Sequence, residues 1–301
     1  MKNRRWLVTL VLGFSSFAAA QQAQSPQAAA VSQSNVKERV HAPTYSDINC
    51  AGFVTRDSFN KAHHVMGGDA SPHVSKFGQR DSVFLSGAEY QEGAEYRIVR
   101  QIEDPNKNEV FPGQTGLLKR VGKQYADVAL VRVYFVEKES AVAEVTFSCQ
   151  PVVPGDVAIP SQERAAINYP KRPEFKRFVH SSGATTGKII QANEFDYFVG
   201  AGQKVYLDLG SDQLKPGDYV RITRSYDSKE MPPVDRLVFD ASTYEDTQKD
   251  APQVGYGEQK NFPRKGLGEA MVISSNANSA TAIITLSLED IHVGDSVEVA
   301  R

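Results

Sequence analysis

The chain has 301 residues, 41% of them apolar and 23% charged, with 36 Asp and Glu against 34 Lys and Arg. A balance so close to neutral, with no basic clustering beyond Lys171-Arg172 and Lys176-Arg177, excludes the electrostatic footprint of a nucleic-acid binder. The length supports one large or two modest hydrophobic cores.

At the N-terminus, Lys2, Arg4 and Arg5 precede an apolar run from Trp6 to Phe17, and Ala18-Ala19-Ala20 supplies a small-x-small cleavage site. Residues 1–20 therefore read as an export signal, the run being far shorter than the roughly 20 apolar residues that span a bilayer. Cleavage would move the formal charge from −2 to −5. Nothing else in the chain is apolar enough for stable membrane insertion, so the expected location is periplasmic or extracellular. Residues 21–47, rich in Gln, Ala and Ser, have no periodic apolar face and read as a flexible tether.

Residues 48–160 read as a first β module. Cys50 to Thr55 and Val83 to Leu85 form short strands, and Tyr96 to Val99 alternates polar with apolar residues. Ala126 to Val136 and Ser140 to Ser148 make a hairpin turning at Glu137-Lys138-Glu139, and Val157 to Ile159 closes the module. A linker over 161–185 carries Pro170 and Pro173. Residues 186–301 repeat the order: Lys188-Ile189-Ile190, Val205 to Leu209, Gly217 to Arg224, then a hairpin of Ala270 to Ser274 and Ala280 to Leu286, and finally Val297 to Val299. An insertion at 225–265 separates the blocks of this second module. It carries Tyr226, Tyr244 and Tyr256, and a loop of that length is read either as disordered or packed over the barrel, or as a contact surface.

The repetition is explicit in the residues. Ser140 to Asp156 and Ser279 to Asp295 align without a gap, and seven of the seventeen pairs are identical, where unrelated segments share about one. Gly93 to Arg100 matches Gly217 to Arg224 at Gly, Arg, Ile and Arg. The fold class expected is all-β, with two tandem duplicated small β-barrel-like modules joined by a linker. Gly93, Gly155, Gly217 and Gly294 each stand at the entry of a strand, the last three followed by Asp156, Asp218 and Asp295. Glycine tolerates the positive φ of a tight turn, and Asp can accept the turn's exposed N–H groups.

Signatures of chemistry fall short. Gly183 to Lys188 is one residue short of a phosphate loop and is followed by a strand. Asp104, Asn106 and Asn108 begin like a calcium loop, but Glu109 stands where glycine is required and Thr115 where the bidentate Glu belongs. His63, His64 and His73 lack a ligand spacing that would gather them on one strand face. No catalytic residue, metal or cofactor is assigned. Export places Cys50 and Cys149 in an oxidising compartment, and the two are expected to form a disulfide tying the first strand of the first module to the end of its hairpin.

The stretch VYLDLGSDQLKPGDYVRITR with LGEAMVISSNANSATAIITLSLEDIHVGD resembles a β module of exported bacterial envelope proteins, namely the C-terminal domain of flagellar assembly protein T and the domain that accompanies LysM modules. The whole chain is similar to exported acidobacterial proteins. The resemblance covers Lys204 to Val299 well and Val83 to Ile159 more loosely, since Glu92-Gly93-Ala94 lacks the Pro-Gly-Asp form. It implies a non-enzymatic envelope component that contacts an envelope protein or peptidoglycan, and it transfers no functional residue. The alternative is a hydrolase of envelope glycan or peptide, its carboxylates gathered in one cleft from distant positions.

Overall fold

A computed structural model describes residues 43–164, 167, 171–178, 180, 183–224 and 263–300, all within one compact unit. The segment read as an export signal, most of the segment read as a tether and the three tyrosines of the insertion lie outside the described residues. The fold is all-β. The chain opens with a short helix, α1 (Tyr45–Asn49), then runs through β1 (Phe53–Thr55), β2 (Val65–Gly68), β3 (Ser82–Ser86), β4 (Glu95–Ile102), helix α2 (Gln114–Val121), β5 (Lys123–Val136), β6 (Ser140–Ser148) and β7 (Val157–Pro160). It continues with β8 (Thr186–Ala192), β9 (Phe198–Val199), β10 (Lys204–Leu207), β11 (Tyr219–Arg224), β12 (Lys265–Ser275), β13 (Ala280–Ser287), β14 (Ile291–His292) and β15 (Ser296–Val299).

The first sheet has the order β2-β3-β6-β5-β4-β7, with β1 added to β5. The second is a closed barrel of order β10-β13-β12-β11-β15-β8. Read around the ring from β8, its order matches that of the first sheet from β2. Alternation explains the cores. Val83 and Leu85 of β3 point inward while Phe84 between them does not, and residues such as Val65, Ile98, Val131 and Val145 fill the first sheet's interior. Ile189, Leu207, Ile222 and Ile284 fill the second.

Hydrogen bonds repeat along with the strand order. Gly155 N–H donates to Val65 O and Gly294 N–H to Ile189 O, both at 2.8 Å. Gly93 N–H donates to Val133 O and Gly217 N–H to Val272 O, again both at 2.8 Å. The Thr146 hydroxyl donates to Leu130 O and that of Thr285 to Glu269 O; the Ser148 hydroxyl donates to Gln150 O and that of Ser287 to Glu289 O. The identical pairs Thr146/Thr285 and Ser148/Ser287 thus hold backbone carbonyls.

Several expectations need correction. Tyr45 to Asp47 belong to α1 rather than to a tether, because Thr44 supplies a capping box: its Oγ1 accepts Asp47 N–H at 3.1 Å and Asp47 Oδ2 accepts Thr44 N–H at 2.9 Å. Cys50 is the C-cap of α1, not a strand residue. The linker region is not free-standing where it is described. Gly266 N–H donates to Arg177 O, Phe178 bridges to Lys265, and Arg172 Nε reaches the fully buried Glu269 at 2.6 Å, so the need to satisfy barrel carboxylates draws the segment onto β12. Helix α2 was hidden by the β pattern on either side, although Leu117, Leu118 and Val121 with Lys119 and Arg120 in the last turn give it an apolar face and a favourable charge order.

The first-sheet region and the barrel are joined by α1, β1 and α2. Ile48 and Ala51 pack with Tyr219, Met271 and Ile283 of the barrel, and Val54 and Val121 pack with Ile190 and Tyr206. Phe111, just before α2, is 2% exposed within the barrel core. Lys204 Nζ pairs with Asp47 at 3.2 Å. Burial pushes the Asp47 carboxyl up, but the Thr44 N–H and hydroxyl and the Lys204 ammonium outweigh it and hold the group below its ordinary value. Its stabilisation is therefore present above the unfolded carboxylate pKa and lost as pH falls through the lowered folded value. Thr44→Ala, which removes the cap, is expected to cost about 1 kcal/mol in urea unfolding near neutral pH. The cost should shrink in acid, where Asp47 is protonated; a loss that did not change with pH would argue against the coupling.

Candidate functional site

The three Gly-Asp turns and the Gly93 turn are structural devices. Gly93, Gly155, Gly217 and Gly294 have φ of 81°, 94°, 97° and 107°, which side chains with a Cβ rarely adopt. Asp156 Oδ2 accepts Val153 N–H, Asp218 Oδ2 accepts Lys215 N–H and Asp295 Oδ2 accepts His292 N–H, at 2.9, 2.8 and 2.7 Å. Two of these carboxylates also bind an arginine from the neighbouring strand. Arg100 donates to both oxygens of Asp156 and to Pro151 O, and Arg224 donates to both oxygens of Asp295 and to Asp290 O. Each forked pair locks the turn before the closing strand to the strand beside it.

The other sequence candidates disperse. Gly183 to Lys188 leads into β8. The Asp104 and Asn106 side chains accept Asn106 N–H and Asn108 N–H as consecutive turns, while Glu109 accepts Gly113 and Thr115 N–H at the start of α2. These backbone bonds hold Glu109 below its ordinary value. His63 packs edge-on against Tyr90, and His64 Nδ1 lies 3.0 Å from Lys61 O. Among the described residues no group of three or more His, Cys, Asp or Glu is placed to hold a metal.

The structure instead presents a groove that the sequence did not reveal. It has a volume of about 770 Å³ and opens along β7. Its origin is a difference between the two sheets. In the barrel, β8 lies along β15 through Lys188/Ser296, Gly187/Val297 and Thr186/Glu298. In the first sheet, β2 takes the place of β8, and the seam holds through Gly155 N–H to Val65 O, Val65 N–H to Asp156 O, the His64–Val157 bridge and Ala158 N–H to His63 O, but it stops one pair short of the match to Thr186/Glu298. The chain before it turns away, with His63 N–H donating to Asn60 O. The edge of β7 beyond Ala158 is thereby uncovered, and Pro160 there has no N–H to offer an added strand.

Aromatic rings flank the gap. Phe53, Phe59 and Tyr125 form one cluster, with Phe53 stacked on Tyr125 at 5.5 Å and Phe59 edge-on to Tyr125 at 4.9 Å. His63, Tyr90 and Tyr96 form another, with Tyr90 and Tyr96 5.0 Å apart. Phe53, Phe59, His63, Tyr90 and Tyr96 line the groove, together with the exposed polar side chains Asn60, Gln91 and Gln162 and the exposed carboxylates Asp57, Glu89 and Glu95. Ser274 reaches the groove from the barrel, and its buried hydroxyl has no hydrogen-bond partner among the described residues.

The groove also meets a buried ion network. Asp127, its side chain 1% exposed, lies between Arg97 at 3.2 Å and Arg164 at 2.7 Å and accepts Gly52 N–H at 2.8 Å. Arg97 donates to Asn49 O and Oδ1, and Arg164 to Ile48 O, so the two guanidiniums satisfy carbonyls at the end of α1. Cys50 and Cys149 form a disulfide beside this network. Both arginines line the groove.

Of these groove residues, Arg97 was in view as a matched position of the Gly93–Arg100 repeat, but none was assigned a binding role. His63 was singled out, but as a metal candidate; the aromatic residues are scattered from 53 to 96, and only the missing strand pairing brings them to one opening. No protein-family model matches the chain, and no curated protein matches it.

Proposed function

We propose that this is an exported, non-enzymatic binding protein of the cell envelope, whose groove takes a glycan strand of peptidoglycan. The observation that carries this reading is the groove itself: aromatic rings next to Asn, Gln, Ser and carboxylate side chains, a combination suited to sugar rings and their hydroxyls. The resemblance to envelope β modules and the N-terminal export pattern agree with it. The 225–265 segment with Tyr226, Tyr244 and Tyr256 is a second contact surface to be compared directly.

A hydrolase is the second reading, because Asp57, Glu89 and Glu95 do line one cleft, and glycoside hydrolysis needs two carboxylates across the scissile bond. Co-sedimentation with purified sacculi and pull-down from envelope extract separate the cases. Phe59→Ala and Tyr96→Ala are each expected to weaken sacculus binding by roughly tenfold. Binding that survives both substitutions but disappears on deleting residues 225–265 would move the contact to the insertion. Capture of an envelope protein without sacculus binding would replace the glycan by a protein partner, and release of soluble glycan or peptide fragments would establish the hydrolase.

A further inference from the structure

Two arginines converge on one carboxylate where the groove meets the first sheet. Arg97 and Arg164, with side chains 5% and 16% exposed, share Asp127, leaving one positive charge in excess in a largely dehydrated place. The consequence is visible on Arg97, whose guanidinium is pushed below its ordinary value by burial and by the nearness of Arg164, against the opposing pull of Asp127. The terminal nitrogens that carry the network point to Asp127 and to the α1 carbonyls; carbonyl dipoles offset part of the excess charge, and a second carboxylate would offset it fully. The matching place in the barrel is equally charged but closed, with Arg172 and Arg264 pairing with Glu269 and Glu298. Arg221 there is flanked in register by Glu269 and Glu298, and the strand segment Thr186 to Lys188 fills the seam.

We infer that the buried end of the groove accepts a carboxylate of the bound glycan at Arg164, so that the ligand is an acidic oligosaccharide oriented with its acid group toward the guanidinium pair and its hydroxyls toward the exposed polar rim. This rests on the glycan-binding reading above. The exposed Asp57 and Glu89 repel a carboxylate placed at the rim, which fixes the direction of entry.

The test compares three stem-peptide-free tetrasaccharides by calorimetry on the whole protein. The first alternates N-acetylglucosamine with N-acetylmuramic acid; the second is the same compound with its carboxylates methyl-esterified; the third is the N-acetylglucosamine tetramer. The acid is expected to bind about tenfold more tightly than its ester, as one charge-assisted contact supports, and to lose that advantage as salt is raised. Arg164→Gln should bring the acid to the level of the ester, and Arg164→Lys should restore part of the difference. If Arg164→Gln fails to fold because α1 is released, the acid and ester comparison on the unaltered protein decides. Equal affinity for acid and ester overturns the carboxylate site while leaving glycan binding intact. Absence of binding by all three overturns both.

Discussion

Reduction of the Cys50–Cys149 disulfide, or replacement of both residues by Ser, is expected to lower unfolding stability by about 4 to 5 kcal/mol, the value for a closed loop of this size in the chain-entropy view. The two residues are 99 apart in sequence. The bond joins the end of α1 to the residue after β6, so it holds α1 and β1 near the first sheet even before their side chains pack. Reduced and oxidised protein should therefore differ in urea midpoint, and the reduced form should expose Asp127, Arg97 and Arg164 to solvent first. Two titratable thiols in the unfolded, unreduced protein would refute the bridge.

The second large effect is expected at Asp127. Asp127→Ala leaves Arg97 and Arg164 without their shared counter-ion and Gly52 N–H without its acceptor. Breaking a buried pair in this way costs about 3 to 5 kcal/mol, much of it from the charges left behind. Arg164→Gln should cost less, since Arg97 remains to balance Asp127. The order of the two losses is the informative result: a smaller loss for Asp127→Ala than for Arg164→Gln would mean that the network is not organised around the carboxylate. Hydrogen exchange should show which part opens, with α1 and β1 losing protection ahead of the barrel strands.

The same residues show what the sequence could and could not disclose. Gly155, Asp156, Gly294 and Asp295 were legible because their role is local: a positive φ and a carboxylate three residues from the N–H that it accepts. The arginines that complete those turns, Arg100 and Arg224, were also in view as matched positions, but their pairing with Asp156 and Asp295 spans 56 and 71 residues and has no local pattern. The hairpin β5–β6 and its counterpart β12–β13 were legible from two-residue alternation. β2 was not, because Val65-Met66-Gly67-Gly68 has too little β-branched or aromatic character, and two glycines ordinarily argue against a strand. Its register against β3 supplies what its composition lacks.

Missing β2 also hid the groove. The opening exists because the chain ahead of β2 bends away where β8 in the barrel stays paired, and that contrast appears only once both sheets are laid out in the same order. Asp127 was concealed in a different way. It sits within ADVALVRVYFV, read as a strand of alternating character, and nothing near it in sequence announces Arg97 or Arg164. Burial of a carboxylate among apolar neighbours requires counter-charges from elsewhere, so the Asp was a signal that a distant arginine had to arrive, without saying which.

The central claim, that the protein binds envelope glycan in the groove along β7, is tested most directly by mapping amide chemical shifts while the muramic-acid-containing tetrasaccharide is titrated into labelled protein. The account predicts shifts concentrated at Phe59, His63, Gln91, Tyr96, Ile159, Ser161 and Ser274, with the far wall of the barrel unmoved. Shifts confined to the barrel or to residues 225–265, or no saturable shifts at all, would contradict it.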